Sequence, residues 1–137
     1  MATFDRRLAR PTCLVLLVLA TGCPSGPAEP SGREKGVRDA QAAIAAGELK
    51  LKEYPPLPSP AAHGEYIQLL RERCDVGYEV PAKPPGLAEA VFAEEVRGWN
   101  DTMEAEINRK FGAGILGRLH QEARERWEAK VKGKGKG

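Results

Sequence analysis

Between Leu87 and Phe111 the side chains of Phe92, Val96, Trp99, Met103, Ile107 and Phe111 return every three or four residues. That is the period of one face of an α-helix; a strand would send alternate residues to opposite faces and could not bury these six together. The stretch predicts an amphipathic helix of about seven turns. Glu106 and Lys110 lie on its outer face in the favourable i to i+4 order, a pairing worth about 0.3–0.5 kcal/mol. Gly98, in the middle, costs a helix about 1 kcal/mol relative to alanine, and its missing side chain suits a close crossing by another helix. Gly112 and Gly114 then break the chain, and Ile115, Leu116, Leu119, Ala123, Trp127 and Val131 form the stripe of a last helix. The two are expected to pack as a C-terminal helical hairpin.

Upstream, Val37, Ala40 and Ile44 fall at helical spacing between Arg33 and Ala46, with Gly47 as a stop. Leu49, Leu51 and Tyr54 suit a short extended piece, and Pro55-Pro56-Leu57-Pro58-Ser59-Pro60 must be an extended loop. That loop reads as a rigid connector; its functional alternative is a proline-rich ligand for a groove. From Gly64 to Cys74, Tyr66, Ile67, Leu70 and Cys74 share one face of a second helix, with Arg71, Glu72 and Arg73 toward water. Val76, Tyr78 and Val80 then alternate like a brief strand, closed by Pro81 to Gly86. The fold class expected is mainly α, verging on α+β. It is a small single domain of about four helices, with two short strands able to form a parallel β-α-β pair.

The N-terminus carries a different kind of signal. Arg6, Arg7 and Arg10 precede the apolar run Cys13-Leu14-Val15-Leu16-Leu17-Val18-Leu19-Ala20, which reads as an export signal. Eight residues of helix span only about 12 Å, against a hydrocarbon core of about 30 Å, so the run is not a membrane span. It ends in Leu19-Ala20-Thr21-Gly22-Cys23, which resembles the lipobox of bacterial lipoproteins, with Ala20 where leucine is commonest. The resemblance implies diacylglyceryl transfer to the Cys23 thiol, cleavage between Gly22 and Cys23, and acylation of the new amino group. It also implies export, with the folded part in the periplasm or at the cell surface, anchored to a bacterial membrane without spanning it. Separately, Gly98-Trp99-Asn100 through Phe111-Gly112 resembles a stretch of small uncharacterised bacterial proteins. That likeness covers about fifteen residues and implies no activity.

The expected organisation is a signal peptide over 1–22, a Pro/Gly-rich tether over 23–32, a helical domain over 33–131 and a Lys/Gly tail over 132–137. From Cys23 onward the chain holds eighteen basic and eighteen acidic side chains. It is formally neutral and has no global basic field, so nucleic acid is not an expected partner. Leu, Ile, Val and Phe make up about 17% of those residues, a small share that predicts a small core. The lipobox resemblance implies that Cys13 is lost with the signal and Cys23 is taken by lipid, which would leave Cys74 without a disulfide partner; it is expected as a buried small hydrophobe.

Signals for chemistry are weak. A thiol nucleophile at Cys74 needs a base, and only His63 and His120 are available. If His63 and Cys74 share one helix, eleven residues hold them about 16 Å apart. No HExxH or Glu-x-x-His pair is present, and His120 and Glu122 would fall on different helix faces, so no metal and no cofactor is expected. Glu94, Glu95, Glu104 and Glu106 read as a charged helix face. The leading expectation is a non-enzymatic envelope interaction or accessory module, with Trp99 and Met103 on the long helix as candidate contacts for an envelope protein. One alternative is a small hydrolase or thiol enzyme using Cys74 and His120. The other is binding of anionic lipid or cell-wall polymer by Lys132, Lys134 and Lys136 in a tail beginning at Lys130.

Overall fold

A computed structural model describes residues 31–134. The expected signal peptide, Gly22, Cys23, the tether up to residue 30, and Lys136 lie outside the described residues. Helix α1 (Gly32–Ala45) is followed by strand β1 (Lys50–Lys52), helix α2 (His63–Cys74), strand β2 (Gly77–Glu79) and the long helices α3 (Glu89–Phe111) and α4 (Ile115–Lys134). The domain is thus mainly helical with one small sheet, as the periodicities predicted. β1 and β2 pair in parallel, Lys50 opposite Gly77 and Lys52 opposite Glu79, with α2 as the crossover.

Helix ends explain much of this layout. Ser31 caps α1: its hydroxyl accepts from the Glu34 N–H, and the Glu34 carboxylate accepts from the Ser31 N–H at 2.8 Å. This reciprocal capping box satisfies two orphan donors and starts the helix one residue earlier than the apolar spacing indicated. At the other end the Gly47 N–H reaches Ile44 and the Glu48 N–H reaches Ala43, with Gly47 at φ +82°. That is a Schellman closure, which needs the left-handed backbone that glycine adopts without strain. α2 ends similarly on Asp75, at φ 52°, whose N–H donates to the Arg71 carbonyl. Aspartate is among the few non-glycine residues that tolerate this region.

α1 crosses α3 at backbone contact. Gly32 faces the Val91 carbonyl and Gly36 faces the Glu95 carbonyl, so residues spaced four apart on one helix sit on residues spaced four apart on the other. Gly98 of α3 faces the Arg33 carbonyl in return. A Cβ at any of the three would overlap backbone atoms. β1 is then fastened to α3 by the two residues that follow Gly98. The Trp99 indole N–H donates to the Lys50 carbonyl at 2.7 Å. The Asn100 amide donates to the Lys52 carbonyl at 2.7 Å and accepts from the Lys52 N–H at 2.9 Å. These bonds satisfy the strand edge that β2 leaves open.

The core contains Leu51, Leu69, Leu70, Cys74, Val76, Met103 and Ile107, closed by Leu119 and Ala123 from α4. On α2, Leu69 is fully buried and Ile67 only half-buried, the reverse of the face expected, because α2 packs on α4 as well as on the sheet. The last two helices follow one another across the short turn at 112–114 and do touch, as expected, although the main contacts of each lie elsewhere. α3 lies chiefly against α1 and α4 chiefly against α2, so the two consecutive helices share only a narrow contact. The last helix also extends through Lys134, so Lys130, Lys132 and Lys134 are helical instead of belonging to an irregular tail.

Gly36→Ala is expected to destabilise the domain by about 2 kcal/mol or more in urea denaturation, since the helices must separate to admit the methyl group. Gly117→Ala, on α4 with open space around it, is expected to stabilise by about 0.5 kcal/mol through helix propensity alone.

Candidate functional site

As the helix spacing indicated, His63 and Cys74 do not meet: His63 is the first residue of α2 and Cys74 the last, so the helix itself holds them about 16 Å apart. Cys74 is 2% exposed, and burial pushes its thiol above the ordinary value, only partly opposed by Arg73. It borders a hollow of about 340 Å³ with Phe111, Ile115 and Leu119, whereas His120 opens onto a different one. The partner-binding candidates on α3 are spent internally. Met103 is fully buried, and Trp99 carries the Lys52 ammonium 3.4 Å from its ring centroid while donating to Lys50. Of the lysines, Lys130 pairs with Glu65 and Lys132 lies 3.8 Å from Glu128.

What the fold does bring together is a ring of aromatic and titratable side chains between α2, α4 and the sheet. The His120 imidazole from α4 lies flat on the Tyr66 ring of α2, centroids 3.6 Å apart and planes within 10°. His63 meets Tyr78 of β2 edge to face at 5.1 Å. Glu53, just past β1, accepts the Tyr78 hydroxyl at 2.7 Å and lies 3.5 Å from His63 Nε2. Two adjoining hollows share His63, Tyr66 and His120 as a common wall. The smaller, about 190 Å³, is bounded also by Leu51, Lys52, Tyr78, Asn100 and Glu104. The larger, about 320 Å³, is bounded also by Pro60, Ala62, Ala123 and Arg124.

The electrostatics follow from this packing. Tyr66 is pushed up to about 12 by burial first, then by the Glu104 carboxylate. Tyr78 is raised by burial and by donating to Glu53, and Glu53 is lowered chiefly by that same bond and then by the Leu57 N–H. Burial lowers Lys52, outweighing the opposing pull of Glu79. Glu104 is raised by desolvation and by Asp101. Among the described residues no three His, Cys, Asp or Glu side chains converge as a metal site requires.

In the sequence, His63 and His120 stand out as possible bases for Cys74, and His120 also as a metal ligand with Glu122, but nothing there groups them with Glu53, Tyr66 and Tyr78. The alternation Val76-Tyr78-Val80 was the available clue, because it fixes which face of β2 Tyr78 occupies. Only the parallel pairing with β1 brings Glu53 to it. No protein-family model, no curated protein and no solved structure matches this chain.

His120 sits below the free imidazole value of 6.5 because of burial first, then Arg124 and His63. An NMR titration is expected to place its midpoint under that value and to move it upward in Arg124→Gln. Because the unfolded chain takes up the proton first, this contribution is fully present above about 6.5 and is lost as pH falls from there through the lower folded value. For Cys74, reaction with a disulfide reagent is expected to be at least tenfold slower in the native protein than in urea. Equal rates would show an accessible thiol.

Proposed function

We propose that this chain is a lipid-anchored bacterial envelope protein whose folded domain works as an interaction or accessory module. The observation that carries this reading is the ordered signal at the N-terminus: basic residues, a short apolar run, then Leu19-Ala20-Thr21-Gly22-Cys23. Each buried lipid methylene contributes about 0.8 kcal/mol, so two or three acyl chains on Cys23 would hold the protein stably where one would not. The capped start of the domain, Ser31, follows Cys23 by eight residues. A fully extended chain of that length reaches about 28 Å, so the domain would stay close to the bilayer. Among the described residues no helix is long and apolar enough to cross a membrane, and an acyl anchor would supply the attachment.

The thiol-enzyme alternative is weakened by the depth of Cys74, by the length of α2 between it and His63, and by the opening of Cys74 and His120 onto different hollows. The anionic-surface alternative through Lys132, Lys134 and Lys136 is weakened by the acidic neighbours of Lys130 and Lys132. Surfaces open to a protein partner are the Pro55–Pro60 loop, where Leu57 is 65% exposed, and the projecting end of α4 around Val131, 50% exposed.

The full chain expressed in a bacterial host is expected in the membrane fraction, with a mass raised by a diacylglyceryl group on Cys23. Cys23→Ser should remove both the mass and the attachment. Processed but unlipidated protein in the soluble fraction would overturn the anchor. In-cell crosslinking through a C-terminal tag is expected to yield one stoichiometric partner, and recovery of the lipidated monomer alone would overturn the module.

A further inference from the structure

Four element ends meet on one side of the domain. Gly32, at the start of α1, lies against the Val91 carbonyl in the first turn of α3. Because β1 and β2 are parallel, the chain leaves both on the same side, at Glu53 and Val80, and the Glu53 N–H donates to the Glu79 carbonyl at 2.9 Å. The next residue, Tyr54, meets Phe92 edge to face with ring centroids 4.7 Å apart, which sets the strand exits beside the start of α3. The Leu57 N–H donates to the Glu53 carboxylate at 3.2 Å, so the proline-rich loop begins on this side too.

Of the large apolar side chains exposed among the described residues, Leu57, Val80 and Val91 all belong to these segments, and only Val131, on α4, does not. Monomeric domains seldom leave such side chains together in water without a use for them. Charges on the same segments are mixed, Arg33 and Lys83 against Glu34, Glu53 and Glu89. The Lys83 ammonium is turned onto the Leu87 carbonyl at 2.8 Å. These segments have no basic excess, so the attraction they offer is apolar.

This is also the side on which the chain enters the domain. Ser31 follows Cys23 by eight residues, a reach of about 28 Å at full extension. From this side α3 runs 23 residues, about 35 Å. A tether of that reach is too short for the far end of an upright α3 to face the surface that holds Cys23. We propose, resting on the lipid-anchored reading above, that the side bearing Leu57, Val80 and Val91 is where the domain contacts the bilayer, with these side chains at the interface of a phospholipid membrane. Three such side chains would hold an untethered domain weakly. The short tether makes the contact intramolecular and raises its effective concentration.

The test places the full chain, purified with its anchor, in phosphatidylcholine nanodiscs whose lipids carry a nitroxide near the headgroup. A thiol-directed fluorophore on Ala90→Cys, in the first turn of α3, reads this side, and one on Glu48→Cys, beyond the end of α1, reads the other. Cys74 is buried, and a lipidated Cys23 has no thiol to label. Quenching is expected to be at least threefold stronger at position 90 than at 48. Replacing the three exposed residues together (Leu57→Ser, Val80→Ser and Val91→Ser) should abolish that difference with little change in the urea midpoint. Equal quenching at both positions, as a domain lying flat or tumbling on its tether would give, overturns the proposal. So does a difference that survives the triple variant, or one that appears only when anionic phosphatidylglycerol is added. The intact mass of the same sample separates this surface from the anchor. An unlipidated Cys23 overturns the anchor and the surface with it, whereas a lipidated Cys23 with equal quenching overturns the surface alone.

Discussion

The close approach of α1 to α3 is the contact on which the rest of the domain depends. Gly36 lies against the Glu95 carbonyl and Gly98 against the Arg33 carbonyl, so two backbones meet where side chains would ordinarily hold them apart. Such a crossing gains dispersion contacts along both helices while giving up the helix propensity of its glycines. With α1 seated, Ala40 is fully buried and α3 presents Met103 and Ile107 to the far side. Trp99 and Asn100, next in sequence to Gly98, then hold β1 by three hydrogen bonds. A sheet of only two three-residue strands is marginal in water, and here it persists because α3 completes the outer edge of β1.

Charge plays a subordinate part. Arg33 pairs with Asp101, and Lys35 bridges Asp39 on its own helix and Glu95 on α3, but all of these groups except Glu95 are substantially exposed. Exposed pairs contribute about 0–1 kcal/mol and are screened by salt. The more consequential polar interactions are the half-buried ones, above all Tyr78 to Glu53, where burial raises the cost of losing a partner.

The crossover through α2 decides what chemistry the surface can offer. Placing His63 at the first turn and Cys74 at the last makes the helix a spacer between base and thiol. The same geometry turns Tyr66 toward α4, where His120 covers it, and lets β2 deliver Tyr78 to Glu53 and His63. Arg124 and Lys52 flank this group from α4 and β1. The aromatic wall is thus assembled from four elements, each contributing one or two residues, and no local motif marks it.

The amino-acid sequence by itself determined the elements of this protein. The stripe from Phe92 to Phe111 demanded α3, the alternation at Val76, Tyr78 and Val80 marked β2, and Gly47 and Gly112 stopped helices where they stop. Those are short-range consequences of helical and strand periods and of backbone sterics, and so they can be read along the chain. Gly98 announced a close crossing but not its partner. Only the tertiary structure decided that α1, and not α4, takes the place against α3. It also showed that Met103 is core, that Trp99 and Asn100 serve the strand edge, and that His63, Tyr66, Tyr78 and His120 gather at two adjoining hollows with Glu53 bonded to Tyr78. Those outcomes turn on which helix can approach most closely and on the parallel register of two short strands. Both are set by contacts between residues tens of positions apart, and no local pattern in the chain encodes them.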